Sequence, residues 1–426
     1  MTIDTLLQPF QRFGIHLGLE RIHNLLADLG NPHHQVPIIH VAGTNGKGSV
    51  CAYLSSVLTE AGYRVGRYTS PHLVDWTERI CLNQEPISTA DLEQLLLKIQ
   101  AAINPERESP TQFEVITAAA WLYFARENVD IAVIEVGLGG RLDATNVCDR
   151  PLVTAITSLS LEHWQRLGPT LADIAREKAG ILKSGCPAVI GKLPPEAHAV
   201  VAAKIEELGC PAVWVEPAKE IEKGDPTGDT RLALYQGNST TDHSQCIEYP
   251  LPLHGDVQLA NSALAIACLQ ILQQQGWEIP LTAIQQGMAK THWRGRVEWT
   301  SWQGQKLLVD GAHNSAAAKA LRRYVDTLTQ PVTWIMGMLS TKDHQKVFQA
   351  LLRPGDSLHL VPVPGHSTAQ PEDLASLARN ICPNLAEINT YADLFAALVK
   401  VTTTNQPKTL VLCGSLYLQG YFWQHQ

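Results

Sequence analysis

Three glycines and a lysine fall within six residues at Gly43-Thr44-Asn45-Gly46-Lys47-Gly48, and Ser49 follows them. The apolar run Ile38-Ile39-His40-Val41-Ala42 precedes this stretch, and Val50 to Leu58 carries apolar residues at helical spacing after it. Strand, glycine loop and helix in succession is the arrangement in which backbone N–H groups and a helix N-terminus hold phosphate oxygens. Lys47 is placed to neutralise the outer phosphates. The common phosphate loop has a glycine four intervening residues before its Gly-Lys pair and a Ser or Thr directly after the lysine. Here Val41 occupies the first position, and Gly48 separates Lys47 from Ser49. That departure points to a particular group of ATP users; the competing reading is a turn that merely joins a strand to a helix.

Further candidates sit just past apolar runs. Glu135 closes Ile131-Ala132-Val133-Ile134, where a carboxylate is costly to bury unless it meets a cation. It is read either as a ligand for a hard cation such as magnesium or as a partner of Arg141. His163 follows Ser160-Leu161-Glu162, and a lone histidine is ambiguous. Lys178, within Ile174 to Ile181, reads by itself as a solvated helix lysine paired with an acid such as Asp173. Asp310 and His313 follow the run 306–309 and read as ligand contacts, with capping of the next helix by Asn314 as the competing explanation. Arg296 could grip a phosphate with its bidentate fork or form a surface ion pair.

The elements that must position these residues alternate. Helical patterns cover 4–30, 90–103, 111–128, 171–183 and 256–275, and strands fall near 64–68, 131–136, 153–157 and 188–190. This implies an α/β fold: an N-terminal domain with a phosphate-loop-type, mostly parallel sheet covered on both faces, with ligands at the carboxyl ends of its strands. Residues 215–250 are polar and alternate like antiparallel strands. From Lys306 the pattern restarts, with strands near 306–309, 332–336, 357–361 and 409–412, predicting a smaller C-terminal Rossmann-like α/β domain. The expected division is 1–294 and 295–426.

At 426 residues the chain is too long for one ordinary core. A net charge of -8 argues against nucleic acid or an anionic membrane as partner. No apolar stretch is long enough to span a bilayer. Nine scattered cysteines with no C-x-x-C pair suit buried thiols in a reducing compartment, so a cytoplasmic enzyme is expected.

Taken together, Leu17 to Arg21, Gly43 to Ser49, Ser70 to Leu73, Glu78 to Ile80, Phe113-Glu114, Glu135 to Asn146, Glu177 to Ile181, Asp310 to Asn314, Gly337 to Leu339 with Lys342-Asp343, and Cys413 to Ser415 resemble the folylpolyglutamate synthase/dihydrofolate synthase family of Mur-ligase-like enzymes. The segments appear in the family's order across nearly the whole chain. The glycine loop with Gly48 after the lysine, joined to the Glu135–Asn146 segment, is the specific pair. Family members often have an acid where His16 stands in Ile15-His16-Leu17-Gly18-Leu19-Glu20.

The resemblance implies an ATP- and Mg2+-dependent ligase that adds L-glutamate to dihydropteroate, to reduced folates, or to both. It implies that Thr44, Asn45, Gly46, Lys47, Gly48 and Ser49 hold ATP, with Asn261, Arg296 and Asp310 completing the nucleotide contacts. Ser70, Glu135 and His163 would bind magnesium, and Lys178 would be carbamylated. The acceptor would lie near residues 14–17, Thr111, Phe113 and Glu114, and Leu142, Asp143 and Ala144, while His313 would help to place glutamate. A monomer is implied. The rival functions are a folylpolyglutamate synthase only, another Mur-type ligase, a phosphate-loop kinase or NTPase, and a non-catalytic pterin binder.

Overall fold

Strands made almost entirely of apolar residues cannot face water, so they pack into sheets with both faces covered. The computed structural model describes residues 2–11, 17–222, 230–237, 246–328, 331–402 and 408–426. Positions 14–16 of the acceptor expectation, including the His16 departure, lie outside the described residues. The chain forms two units: Met1–Ile221 with Leu232–Leu251 and Leu259–Thr291, and Glu222–Arg231 with Pro252–Gln258 and His292–Gln426.

The first unit contains β1 (Ile38–Ala42), β2 (Val65–Tyr68), β3 (Ile80–Leu82), β4 (Glu85–Pro86), β5 (Ile131–Glu135), β6 (Val153–Ile156), β7 (Ala188–Ile190) and β8 (Ala212–Trp214) in one sheet. Their order is β4-β3-β2-β5-β1-β6-β7-β8. The run from β2 to β8 is parallel, and β3 and β4 add an antiparallel edge. β1 is central, so the glycine loop leaves the middle of the sheet at its carboxyl edge, beside the ends of β5 and β6. Three further strands, β9 (Lys219–Glu222), β10 (Arg231–Gln236) and β11 (Cys246–Leu251), form a small sheet over part of 215–250.

A large core of the first unit forms around the helix Gln112–Arg126. Trp121 and Phe124 are fully buried there, with Leu6 and Leu7 from the helix Ile3–Gln11 and Leu25 and Leu26 from the helix Glu20–Asp28. Each such large side chain contributes about 1.5–3 kcal/mol by leaving water. One continuous helix over 4–30 is therefore corrected to two separate helices. The helix expected over 171–183 ends at Ala179, because Gly180 closes it, and the sequence reading missed the helices Pro195–Leu208 and Leu281–Lys290.

The second unit carries β12 (Glu298–Trp302), β13 (Gln305–Val309), β14 (Val332–Met336), β15 (Ser357–Leu360), β16 (Glu387–Thr390) and β17 (Thr409–Cys413), ordered β12-β13-β17-β14-β15-β16. Five of these strands are parallel, and β12 pairs antiparallel to β13 at the edge. β12, rich in half-buried polar residues, was not anticipated. A buried ion pair braces this unit: Arg322 Nη1 lies 2.7 Å from Asp356 Oδ2, which also accepts from Trp334 Nε1 at 3.0 Å.

Candidate active site

The glycine loop is held open by the segment after β6. Thr44 N donates to Ser158 O at 2.6 Å, Thr157 Oγ1 donates to Asn45 O at 2.7 Å, and Ser160 N donates to Thr44 Oγ1 at 3.1 Å. Two glycines are obligatory. Gly46 has φ +89°, and a Cβ there would lie 2.4 Å from Asn261 Oδ1; a Cβ on Gly43 would lie 1.9 Å from Thr157 Oγ1. Asn261, on the helix Val257–Gln274, is thereby placed beside Gly46. The helix Lys47–Glu60 begins directly after Gly46, with Gly48 and Ser49 in its first turn, so its unpaired N–H groups open at the loop.

Lys47 Nζ lies 3.7 Å from Glu135 Oε1, and Ser70 N donates to Glu135 Oε2 at 3.2 Å. The cost of burying Glu135 is thus offset by a lysine and a backbone N–H. The alternative pairing with Arg141 is corrected: Arg141 bonds Glu177 at 2.7 Å.

Lys178 also departs from its surface reading. It is buried, and Nζ donates to Gly43 O at 2.6 Å. Asp173, its suggested partner, caps its own helix and pairs with Arg176. Burial, followed by the charge of Lys47, pushes the Lys178 amine down to about 7, against the opposing pull of Glu162, Asp143 and Glu135. A buried amine that is substantially neutral near pH 7 is a nucleophile. Its helix is tied to the loop after β5: Arg141 N donates to Glu177 O at 2.8 Å, and Asn146 Nδ2 donates to Gly180 O at 3.1 Å.

His163 has φ +52° and is half exposed, with Nε2 3.9 Å from Glu162 Oε1. Thr111 and Glu114 form a reciprocal cap on the helix Gln112–Arg126, and Glu114 also takes Arg21 Nε at 3.1 Å. The half-buried Phe113 ring packs over Gly137, within the loop that holds Leu142, Asp143 and Ala144. The Asp143 carboxylate turns into that loop and accepts from Leu138 N at 2.8 Å and Thr145 Oγ1 at 2.6 Å; burial raises its pKa.

In the second unit, Asp310 accepts from Val297 N at 2.9 Å and Ala312 N at 2.8 Å. Burial raises its pKa, and Arg296 is the largest influence holding it down. Val297 is β-branched yet sits at φ +49°, a strained backbone that Asp310 holds in place next to Arg296. His313 Nδ1 lies 2.7 Å from Gly311 O, which makes Nδ1 the protonated nitrogen. Asn314 caps the following helix through its bond from Ala317 N at 2.9 Å, so the capping explanation holds for that residue.

Sequence reasoning missed the hydroxyl cluster Thr157, Ser158 and Ser160, and Glu162, whose charge acts on Lys178. A run of hydroxyls at the carboxyl end of a central strand was the available signal.

A hard cation suits this site. Glu135 is an oxygen donor at the phosphate loop, and the buried Ser160 Oγ, in the segment that clasps Thr44, has no hydrogen-bond partner among the described residues. Among the described residues no group of three or more His, Cys, Asp and Glu could hold a metal by itself.

Residues 41–269 match the Mur ligase middle domain, and residues 296–424 match the dihydrofolate synthetase C-terminal domain. The fold and the phosphate loop thus define an ATP-dependent ligase of the Mur type. The chain is 35% identical over 428 residues to the dihydrofolate synthetase of Saccharomyces cerevisiae, covering 95% of this chain and 97% of the relative. It is 38% identical over 359 residues to the folylpolyglutamate synthase of Lacticaseibacillus casei, covering 83% and 82%. A folylpolyglutamate synthase from Mycobacterium tuberculosis, solved with ADP, matches at TM-score 0.87 and 29% identity, covering 99% of this chain and 98% of that one. Escherichia coli FolC in complex with DHPP and ADP matches at 0.83 and 30%, covering 99% and 95%. The chain belongs to the folylpolyglutamate synthase/dihydrofolate synthase family of ATP-dependent glutamate ligases. Solved relatives are described with ADP and with AMPPCP, nucleotides of the kind a phosphate loop holds. No helix among the described residues is long and apolar enough to cross a membrane.

Proposed function

We propose that this ligase joins L-glutamate to both 7,8-dihydropteroate and reduced folates. Relatives bearing each name, and the Bacillus subtilis enzyme bearing both, align along most of the chain, which supports the dual reading. The acceptor carboxylate attacks the γ-phosphorus of ATP, giving an acyl phosphate and ADP. The amine of glutamate then attacks the acyl carbon, and phosphate leaves.

Thr44, Asn45, Gly46, Gly48 and Ser49 hold the phosphates, and Lys47 offsets the charge that builds on the γ-phosphoryl oxygens. Asn261, Arg296 and Asp310 are further nucleotide contacts. Ser70, Glu135 and His163 would hold Mg2+, which supplies charge neutralisation at the phosphate oxygens when bound. Thr111, Phe113, Glu114, Leu142, Asp143 and Ala144 form the acceptor site, in which Asp143 and Glu114 shape the backbone. His313 serves glutamate. Residues 1–294 carry ATP binding, and 295–426 carry the glutamate-ligase part. The enzyme acts as a cytoplasmic monomer; nine free cysteines support the reducing compartment.

The observation that carries the ligase reading is the phosphate loop, where Lys47 Nζ lies 3.7 Å from Glu135 Oε1. The buried Lys178 amine on Gly43 O is suited to carbamylation, which would place an anionic group beside that loop. ADP release is to be measured with ATP, Mg2+ and L-glutamate, with 7,8-dihydropteroate or tetrahydrofolate as acceptor. Turnover with both is expected. Turnover with tetrahydrofolate alone leaves a chain-extending synthase, and glutamate-independent ADP release returns the protein to the kinase or NTPase class.

A further inference from the structure

His40 lies on β1, three residues before Gly43, and is fully buried. Its Nε2 is 2.9 Å from Thr145 Oγ1. The proton order along this chain is fixed by chemistry. The Asp143 carboxylate can only accept, so Thr145 Oγ1 donates to Asp143 Oδ1 at 2.6 Å. Thr145 Oγ1 therefore accepts from His40, whose proton is on Nε2. Burial keeps the imidazole neutral, with its pKa down at about 3, so this arrangement does not switch at physiological pH. Beyond Thr145 the chain continues into the loop itself. Asp143 Oδ1 takes Thr145 N at 3.0 Å and Oδ2 takes Leu138 N at 2.8 Å, while Asn146 N donates to Asp143 O at 2.8 Å. Asp143 thus gathers the backbone from Leu138 to Asn146, and His40 orients the hydroxyl that bonds Asp143. β1 and the loop after β5 belong to one sheet edge, so the strand that launches the phosphate loop also sets the loop carrying Leu142 and Ala144.

We propose that His40 is a positioning residue for the acceptor: through Thr145 and Asp143 it fixes the Leu142–Ala144 backbone against which the pterin-bearing substrate docks. This rests on the assignment of Leu142 and Ala144 to the acceptor site. His40 is fully buried and acts through Thr145 and Asp143. Its loss acts on acceptor affinity and leaves nucleotide handling and the chemical step in place. Without the His40 donor, or without the Thr145 hydroxyl, a buried polar group loses its partner and the loop relaxes, which corresponds to about tenfold in acceptor binding.

Steady-state parameters for acceptor and ATP are to be measured on His40→Phe, His40→Gln, Thr145→Val, Thr145→Ser and Leu142→Ala. His40→Phe and Thr145→Val raise the acceptor KM about tenfold, with kcat and the ATP KM within about threefold of wild type. His40→Gln and Thr145→Ser, which keep the donor and the hydroxyl, restore the acceptor KM. A fall in kcat with a comparable rise in both KM values, or no rescue by the conservative variants, overturns the proposal. If His40→Phe does not fold, the Thr145→Val and Thr145→Ser pair decides by the same criteria. Leu142→Ala separates the two levels of inference. A raised acceptor KM there with a wild-type His40→Phe overturns only the role of His40, whereas a wild-type acceptor KM in Leu142→Ala removes the acceptor-loop reading itself.

Discussion

At the scale of single residues, two lysines divide the electrostatic work at the glycine loop. Lys47 is paired with Glu135 at the mouth of the loop, so it suits phosphate charge. Lys47→Ala is expected to reduce ADP release at least about a thousandfold while thermal melting stays close to wild type. Near-normal turnover in a folded variant removes Lys47 from the site. Lys178 is held near neutrality by burial and by Lys47. Its folded pKa of about 7 lies below the ordinary lysine value near 10.5, so between those pH values the unfolded chain binds the extra proton. Stability contributed through this group therefore rises with pH across that window, and the penalty for burying the charge is fully present below about 7. Carbon dioxide adds only to the neutral amine, so incubation with 13C-bicarbonate is expected to give a carbamate signal in wild type that is absent in Lys178→Ala. Equal spectra from the two proteins rule the modification out. Reading Lys178 as an ordinary helix lysine was reasonable from sequence, because nothing in Ile174 to Ile181 says that its tip reaches Gly43 O.

At the scale of elements, the loop after β1 was legible because glycine spacing reports backbone geometry directly. Gly43→Ala brings a methyl group into Thr157 and is expected to weaken ATP binding sharply and to destabilise the protein by about 1–3 kcal/mol, measured by isothermal titration and melting. Wild-type ATP affinity in Gly43→Ala means that the loop can shift away from β6. The motif Glu135–Asn146 was legible as a segment, but the division of labour inside it was not. Asp143 is turned to its own backbone and to Thr145, and His40, which bonds Thr145, stands 105 residues away from it in the chain. The single helix expected over 4–30 failed because its apolar residues serve two separate helices that pack on one core.

At the scale of the whole molecule, the second unit depends on a charge pair that is taken out of water. Arg322→Ala leaves Asp356 buried and uncompensated, with an expected cost of about 3–5 kcal/mol in a denaturant titration. A loss below about 1 kcal/mol means that Asp356 is simply protonated or hydrated instead. Among the described residues Cys246 is the one exposed cysteine. A thiol reagent is expected to react rapidly with Cys246 alone in the native protein and with all nine in denaturant. Several fast native thiols contradict the packing described for the others.

The sequence by itself determined the alternation of strands and helices, the phosphate loop and the family, because apolar periodicity and glycine spacing are local properties of the chain. Tertiary structure alone decided the partners of the buried charges. Lys178 became a near-neutral amine, Glu135 met Lys47 instead of Arg141, and His40 became the anchor of a distant loop. Burial and approach across the sheet set those energies, and neither is encoded in neighbouring residues.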